Sequence, residues 1–589
     1  MTTQAQNVVT DAKNDRNRPA FPLRIWPALV ILLVQFIASQ IVSFFGSTNI
    51  HSAVGLAVVP LAAAVLLAIW WLLLSRVPVL DRILGLLLMV ALLFGVKYSR
   101  GVMLLTFAVP AMTTGFVLTL LVTSRLRWPV ARWLALAFVI GCAGVFLALR
   151  VDEIGSGLAP VVSWRWSPTE VESSAAIPTA KANRTAVLPS QAGPADWPGF
   201  RGPVRDGILT GVRFATDWTA HPPTPPSKGG SAPRELWRKP IGSGWSSFAA
   251  VGDYVFTQEQ RGTEELVTCY EAATGADVWA NRTEATFKDD MGLGPRATPT
   301  FCEGKLYTQG CTGVLQCLDA ATGNTIWKRD LTKDAEARVP GYGFSSSPLI
   351  VGELVIEFTS GKEGKSALAY DRATGNVAWR AGHDSDAYSS PQLAVIAGVP
   401  QVLMVCDYGL QSFVPETGAL LIDYPWKAEV NPRCVQPVVV DDRIMVGTTG
   451  FMSARMLRIE KDAAAWNVKE EWTSKKFRPY FNDGVLHKGF YYGFDGERLA
   501  CVDIATGERR WEGKRYGGQL IFLADMETLL ILSDAGDVAL VPATPERFSE
   551  TVRFKAISGK TWNHPTIAHG RLFVRNAAEA ACFELAAAG

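Results

Sequence analysis

The residues able to bind or react lie in short polar clusters between strand-like apolar runs in the second half of the chain. Arg296 and Arg433 carry planar guanidinium forks suited to bidentate hydrogen bonding with a carboxylate. Glu259, Asn482 and Asp483 supply the hard oxygens that a Ca2+ ion takes as ligands. Trp245 and Trp562 present flat faces on which a planar ring can stack, with Tyr480 and Asn563 beside these clusters. His564, one of only six histidines, is with Asp483 the candidate for moving a proton. A plainer reading competes with all of these. Loops over the mouth of a ring-shaped fold are solvated, and their Ser, Asn and His side chains can simply satisfy backbone groups around a wet channel. No zinc spacing, phosphate-cradling loop, Ser-His-Asp grouping or dinucleotide fingerprint stands out.

The elements that must position these residues repeat. Cys269 through Thr274-Gly275 to Trp279 matches Cys317 through Thr322-Gly323 to Trp327. The pattern returns from Ala369 through Thr374-Gly375 to Trp379 and from Cys501 through Thr506-Gly507 to Trp511, with Thr417-Gly418 a degenerate copy. Successive Thr-Gly pairs lie 48, 52 and 43 residues apart, and the next gap of 89 holds two units. Such periods, built from several short strands, predict propeller blades. The acidic residue and Thr-Gly suit a turn in which Gly takes positive φ, and the Trp then fills the wedge between blades. Counting Trp anchors from Trp237 to Trp511, with Phe554 as the last, predicts eight blades, with seven the alternative. The final unit, from Thr561 to Leu585, lacks a closing strand of its own. The segment Glu235-Leu236-Trp237 is predicted to supply it.

This repeat resembles that of the pyrroloquinoline-quinone (PQQ) propeller superfamily over about residues 235–585. The Trp197-Pro-Gly-Phe-Arg-Gly-Pro203 opening is similar to that of PQQ-like bacterial membrane proteins. The resemblance implies either of two functions on one fold. One is a BamB-like propeller that binds partner proteins without a cofactor. The other is a quinoprotein dehydrogenase using PQQ and Ca2+ to pass electrons to membrane quinone, a branch that also shows five N-terminal spans. In that second case Trp245, Arg296, Arg433, Tyr480, Trp562 and Asn563 would hold the cofactor, Glu259, Asn482 and Asp483 the metal, and Asp483 or His564 would act as base. Two departures weigh against catalysis: no two cysteines are adjacent, and the blades lack long insertions. The expectation is therefore a binding scaffold, with the dehydrogenase as the alternative.

The first part of the chain is a different material. Residues 1–150 hold 12 basic and 3 acidic groups, a net of +9, while the remaining 439 hold 45 and 52, a net of −7. That balance excludes a nucleic-acid partner for the soluble part. No charged residue occurs from Ile25 to Ser75. Five crossings are predicted, Ile25–Phe45, Ala53–Leu74, Val77–Tyr98, Gly101–Thr123 and Ala131–Leu149, as an anchor in membrane lipid. Nine basic residues then fall on one side against Lys97, Arg100 and Arg150 on the other. This predicts a cytoplasmic N-terminus and a periplasmic propeller in the inner membrane. The expected division is a cytoplasmic tail at 1–24, the anchor at 25–150, a linker at 151–234 and the propeller at 235–589. Cys269, Cys317, Cys501 and Cys582 occupy equivalent positions and should behave as small buried hydrophobes, whereas a bridge among Cys302, Cys311 and Cys317 stays open.

Overall fold

The computed structural model describes residues 23–45, 58–155, 160–177, 184–218, 232–362, 364–383, 386–427, 433–447, 454–462, 465–474 and 476–587. The chain divides into two compact units, Met1–Ser167 and Pro168–Gly589.

The first unit is helical. It contains α1 (Trp26–Phe45), α2 (Val59–Ile69, continued by a wider turn over Trp70–Leu74), α3 (Val79–Val122) and α4 (Trp128–Ala148). Drawn straight, the 44 residues of α3 would reach about 66 Å. Yet the Trp71 indole N–H donates to Arg82 O (2.8 Å) near one end of α3, and the Trp71 ring meets Phe116 near the other, with centroids 5.0 Å apart. The helical stretch therefore doubles back between two legs, as the separate third and fourth apolar runs anticipated. Val79–Tyr98, Leu104–Val122 and Trp128–Ala148 are long and apolar enough to cross a membrane. Trp26–Val42 and Val59–Leu74 are apolar but shorter, so three full-length candidates stand among the described residues where five crossings were expected. Part of the second expected run, 53–57, lies outside the described residues.

One end of this bundle is stitched by polar groups. Trp70 donates to Arg24 O (2.7 Å), Arg82 to Leu72 O (2.7 Å), and Trp128 to the Asp81 carboxylate (2.6 Å), which also meets Arg132 (3.3 Å). Arg24, Arg76, Arg82, Arg125, Arg127 and Arg132 thereby gather at that end. The stretch expected to be linker carries structure: β1 (Leu149–Ile154) and β2 (Pro160–Trp164) form an antiparallel hairpin directly after α4. Its Val and Trp residues give it strand character that the Ala/Ser/Pro content around it obscured.

The second unit is an eight-bladed propeller, as predicted. Seven four-stranded meanders occupy 249–284, 300–330, 349–381, 392–425, 438–474, 485–515 and 519–555. The eighth, 566–584, has three strands of its own and takes its fourth from β4 (Arg234–Pro240). Cys582 faces Trp237 across that junction, which joins the two ends of the propeller and closes the ring of blades. Before β4, a short helix (Glu170–Ala175) and the strand β3 (Ile208–Leu209) lie against the blades, and β3 runs parallel to Gln519–Leu523 as a fifth strand of blade 7.

The packing explains the repeat. Trp237, Trp279, Trp327, Trp379, Trp472 and Trp511 on the outer strands each reach the turn of the next blade, whereas in blade 4 Ile422 stands at that position and Trp426 lies beyond the strand. Trp237 donates to Ala272 O, Trp279 to Ala320 O and Trp327 to Arg372 O at 2.9–3.1 Å. Gly275 and Gly323 take φ of +69° and +74°, and a Cβ there would sit 2.7 and 2.4 Å from the indole rings. The turn glycine is thus required twice, by conformation and by contact. Across the sheet from Trp279, Trp327, Trp511 and Trp237 stand Cys269, Cys317, Cys501 and Cys582, all fully buried. All nine cysteines are unpaired, so the bridge left open among Cys302, Cys311 and Cys317 does not form. Cys311 instead lies against Arg296 and Cys302 against Arg372.

Candidate functional site

Residues 196–211 plug the ring from one face, entering and leaving beside the turns that follow the inner strands. The segment enters beside the inner-strand turns, where Asp196 accepts from Gly252 N (2.8 Å) and pairs with His569 (2.7 Å). Trp197 then bridges to Ala250, and Phe301 N donates to Pro198 O. Phe200 and Arg201 reach the level at which inner strands begin, and Gly211 N leaves beside Asp525. Arg201 and Arg205 hold φ near +60°, a costly backbone for a residue with a Cβ that the surroundings impose.

The floor of the mouth is built on this insert. Arg201 donates to Arg205 O, Asp206 O and Gly484 O, and its Nη1 lies 3.3 Å from Asp483 Oδ2, with both side chains 5% exposed. The other Asp483 oxygen accepts from Gln436 N (2.8 Å). His564 Nε2 is 3.7 Å from the same Asp483 Oδ2, and its ring meets Phe200 edge-on. Burial, and then the Arg201 charge, push the His564 imidazole down to about 3. Burial raises the Asp483 carboxyl above its ordinary range, with Arg201 opposing. Asn482 and Asn563 each spend their amide nitrogen on a carbonyl, Gly518 O (2.5 Å) and Ser246 O (2.8 Å). Arg205 spans to the far side of the ring, donating to Ser347 O and Pro348 O.

Above the floor stands an aromatic cluster. Trp562 lies 5.2 Å from Trp245 and 5.0 Å from Phe481, which Tyr480 meets at 5.0 Å. Lys560 Nζ sits over both indoles, 4.0 Å from Trp562 and 4.9 Å from Trp245, and donates to Met291 O (2.6 Å).

The sequence-derived candidates therefore fall into separate groups. Asp483, His564, Asn482 and Asn563 line the floor, while Trp245, Trp562 and Tyr480 belong to the aromatic cluster. Glu259 lies elsewhere, fully buried in blade 1. Its oxygens accept from Arg261, Tyr270 and Gly242 N, and Arg261 and Arg575 hold its carboxyl low despite burial. Arg296 is taken by Asp289 (2.7 Å) and Gly294 O (2.6 Å). Arg433 is spent on the carbonyls of Cys406, Asp407 and Trp426, and burial lowers it to about 10.

The candidate calcium ligands do not come together at one point. Glu259 and Asp483 sit in different networks with their oxygens engaged, and among the described residues no three His, Cys, Asp or Glu gather as a metal group. Lys560 occupies one face of each of the two indoles on which a planar ring could stack. An imidazole held near 3 is also a poor base at neutral pH. The residues missed in the sequence were Arg201, Arg205 and Lys560. For the two arginines the signal was charge inside a Trp-, Phe-, Gly- and Pro-containing segment suited to packing, where a buried guanidinium must find partners.

The fold and its axial site define an eight-bladed propeller of PQQ-like repeats. A family model described as outer membrane protein assembly factor BamB matches residues 229–385, 263–512 and 364–568, more than half of the chain, and the chain belongs to that family. BamB from Moraxella catarrhalis is 16% identical over 60% of this chain and 100% of its own, with a TM-score of 0.42. A quinohemoprotein alcohol dehydrogenase from Pseudomonas putida HK5 is 14% identical over 69% and 84%, with a TM-score of 0.46. No curated protein matches the chain.

Proposed function

We propose that the chain is an inner-membrane protein whose helices anchor a periplasmic propeller, and that the propeller is a binding scaffold for a protein or other ligand at its mouth. The observation that carries the scaffold reading is the axial insert, whose Arg201 is spent on Asp483 where a cofactor would need a free carboxylate. The gathering of arginines at one end of the helical unit supports a cytoplasmic face there. A five-crossing topology, with α3 counted as two legs, then puts the propeller on the opposite side of the membrane.

The dehydrogenase alternative draws on one feature: Asn482 Oδ1, Asn563 Oδ1 and His564 Nδ1 are buried without a protein partner. Titrating the detergent-solubilised full chain with PQQ and Ca2+ separates the two. The scaffold reading expects no saturable absorbance change and no dye reduction with alcohols or sugars. Micromolar saturation with turnover would replace it by the enzyme reading. A periplasm-active reporter fused after Gly589 tests the topology and is expected to be active.

A further inference from the structure

Among the described residues, the hairpin that follows α4 exposes an apolar side. Val161 and Val162 are exposed, Trp164 is 44% and Trp166 72% exposed, and the two indoles stack with centroids 5.2 Å apart at an interplanar angle of 5°. A two-stranded hairpin standing in water is marginal at best and does not carry four large apolar side chains on its surface. This hairpin is also firmly built. Leu149 and Val151 pack into the cluster formed by Val96, Leu104, Val139 and Ala143 at the end of the bundle away from Arg24 and Arg82. Arg150 ties the polar side together through Asp152 (2.5 Å) and Ser163 (3.0 Å), and Arg165 N caps the helix end at Ala148 O (2.9 Å).

Position says what covers it. β1 begins at the residue after α4 ends, and Trp164 is the cross-strand partner of Leu149. The exposed Trp164 and Val162, on the strand face shared with Leu149 and Val151, therefore lie at the end of α4, on which Ile140 and Val145 are also exposed. Indoles at the end of a membrane-crossing helix occupy the headgroup layer, with the ring in the apolar boundary and the N–H toward water.

We propose that Leu149–Ile154, Pro160–Trp164 and Trp166 form an interfacial hairpin seated in the phospholipid headgroup layer, a second lipid attachment beyond the helices. The proposal rests on the reading that α4 crosses a membrane.

The test uses the full chain in phospholipid nanodiscs, with p-benzoylphenylalanine introduced singly at Trp166, Trp164, Ile140 and Ile326, the last an exposed residue on the outer strand of blade 2. After illumination, intact mass is expected to rise by one phospholipid at 166, 164 and 140 but not at 326. Phospholipid at 140 with none at either hairpin position overturns the proposal, and a protein–protein adduct at 166 would assign the surface to a polypeptide instead. Absence of lipid at 140 overturns the membrane-crossing reading and the hairpin's seat with it. Agreement between 164 and 166 guards against one variant that misfolds locally.

Discussion

Two buried carboxylates, Glu259 in blade 1 and Asp483 at the floor of the mouth, are of the same chemistry and behave oppositely. Glu259 is ringed by two guanidiniums and a tyrosine hydroxyl, and their combined attraction outweighs burial, so it is held below the usual carboxylate range. Asp483 has one guanidinium, which also serves three backbone carbonyls, and there burial wins. Burial therefore sets no charge state by itself; the number of cations committed to the carboxylate does. Glu259 adds stability that is present at neutral pH and lost as pH falls through its lowered pKa. Asp483 contributes in the reverse sense, favouring the fold at low pH and losing that contribution as pH rises through its raised pKa.

The largest effect should come from Arg201. R201M leaves Asp483 buried without its ion pair and should cost about 3–5 kcal/mol. This is readable as an earlier denaturant midpoint of the full chain in detergent, and R201M/D483N should recover much of the loss. If R201M unfolds like the parent, the axial insert is not a stabilising contact. E259Q should cost less, about 2–3 kcal/mol, because Gln keeps part of the hydrogen bonding and Arg575 retains its carbonyl partners. Equal losses for R201M and E259Q would erase the distinction drawn between the two sites.

His564 gives a pH signature. Its pKa falls from 6.5 to about 3, so its contribution is complete above 6.5 and declines as pH drops toward 3. The slope is about 1.4 kcal/mol per pH unit at its steepest. H564Q should flatten acid unfolding in that window, and an unchanged slope would remove His564 from the acid response. The smallest effect is expected at Lys560. K560Q should cost under about 1 kcal/mol yet alter indole fluorescence, because the ammonium leaves two Trp faces.

How much was legible follows the distance between partners. The blade repeat could be read because Thr274, Gly275 and Trp279 lie within one turn and strand, and the ring closure because Trp237 repeated the anchor pattern. The apolar runs of the bundle were equally plain, since charge-free stretches announce themselves. Asp483 and His564 were found as candidates, but their state was not, because it depends on Arg201, which lies 283 residues from the Gly484 carbonyl it also holds. Glu259 and Asn482 look alike as oxygen donors on paper, and only the strands that carry them reveal that they never share a site. The hairpin after α4 was hidden because its Val and Trp residues sit among Ala, Ser and Pro, where the local average reads as linker.

The strand that closes the ring sets a schedule for synthesis. Arg234 pairs with Glu584, 350 residues later in the chain. At roughly 5–20 residues per second, β4 waits on the order of 20–70 s for its partner. Throughout that interval both edges of the unfinished ring are open to whatever strand is nearby. The strand Glu579–Glu584 thus decides whether the ring closes on itself, and a ribosome that stops short of Glu579 should leave a nearly complete propeller with β4 unpaired.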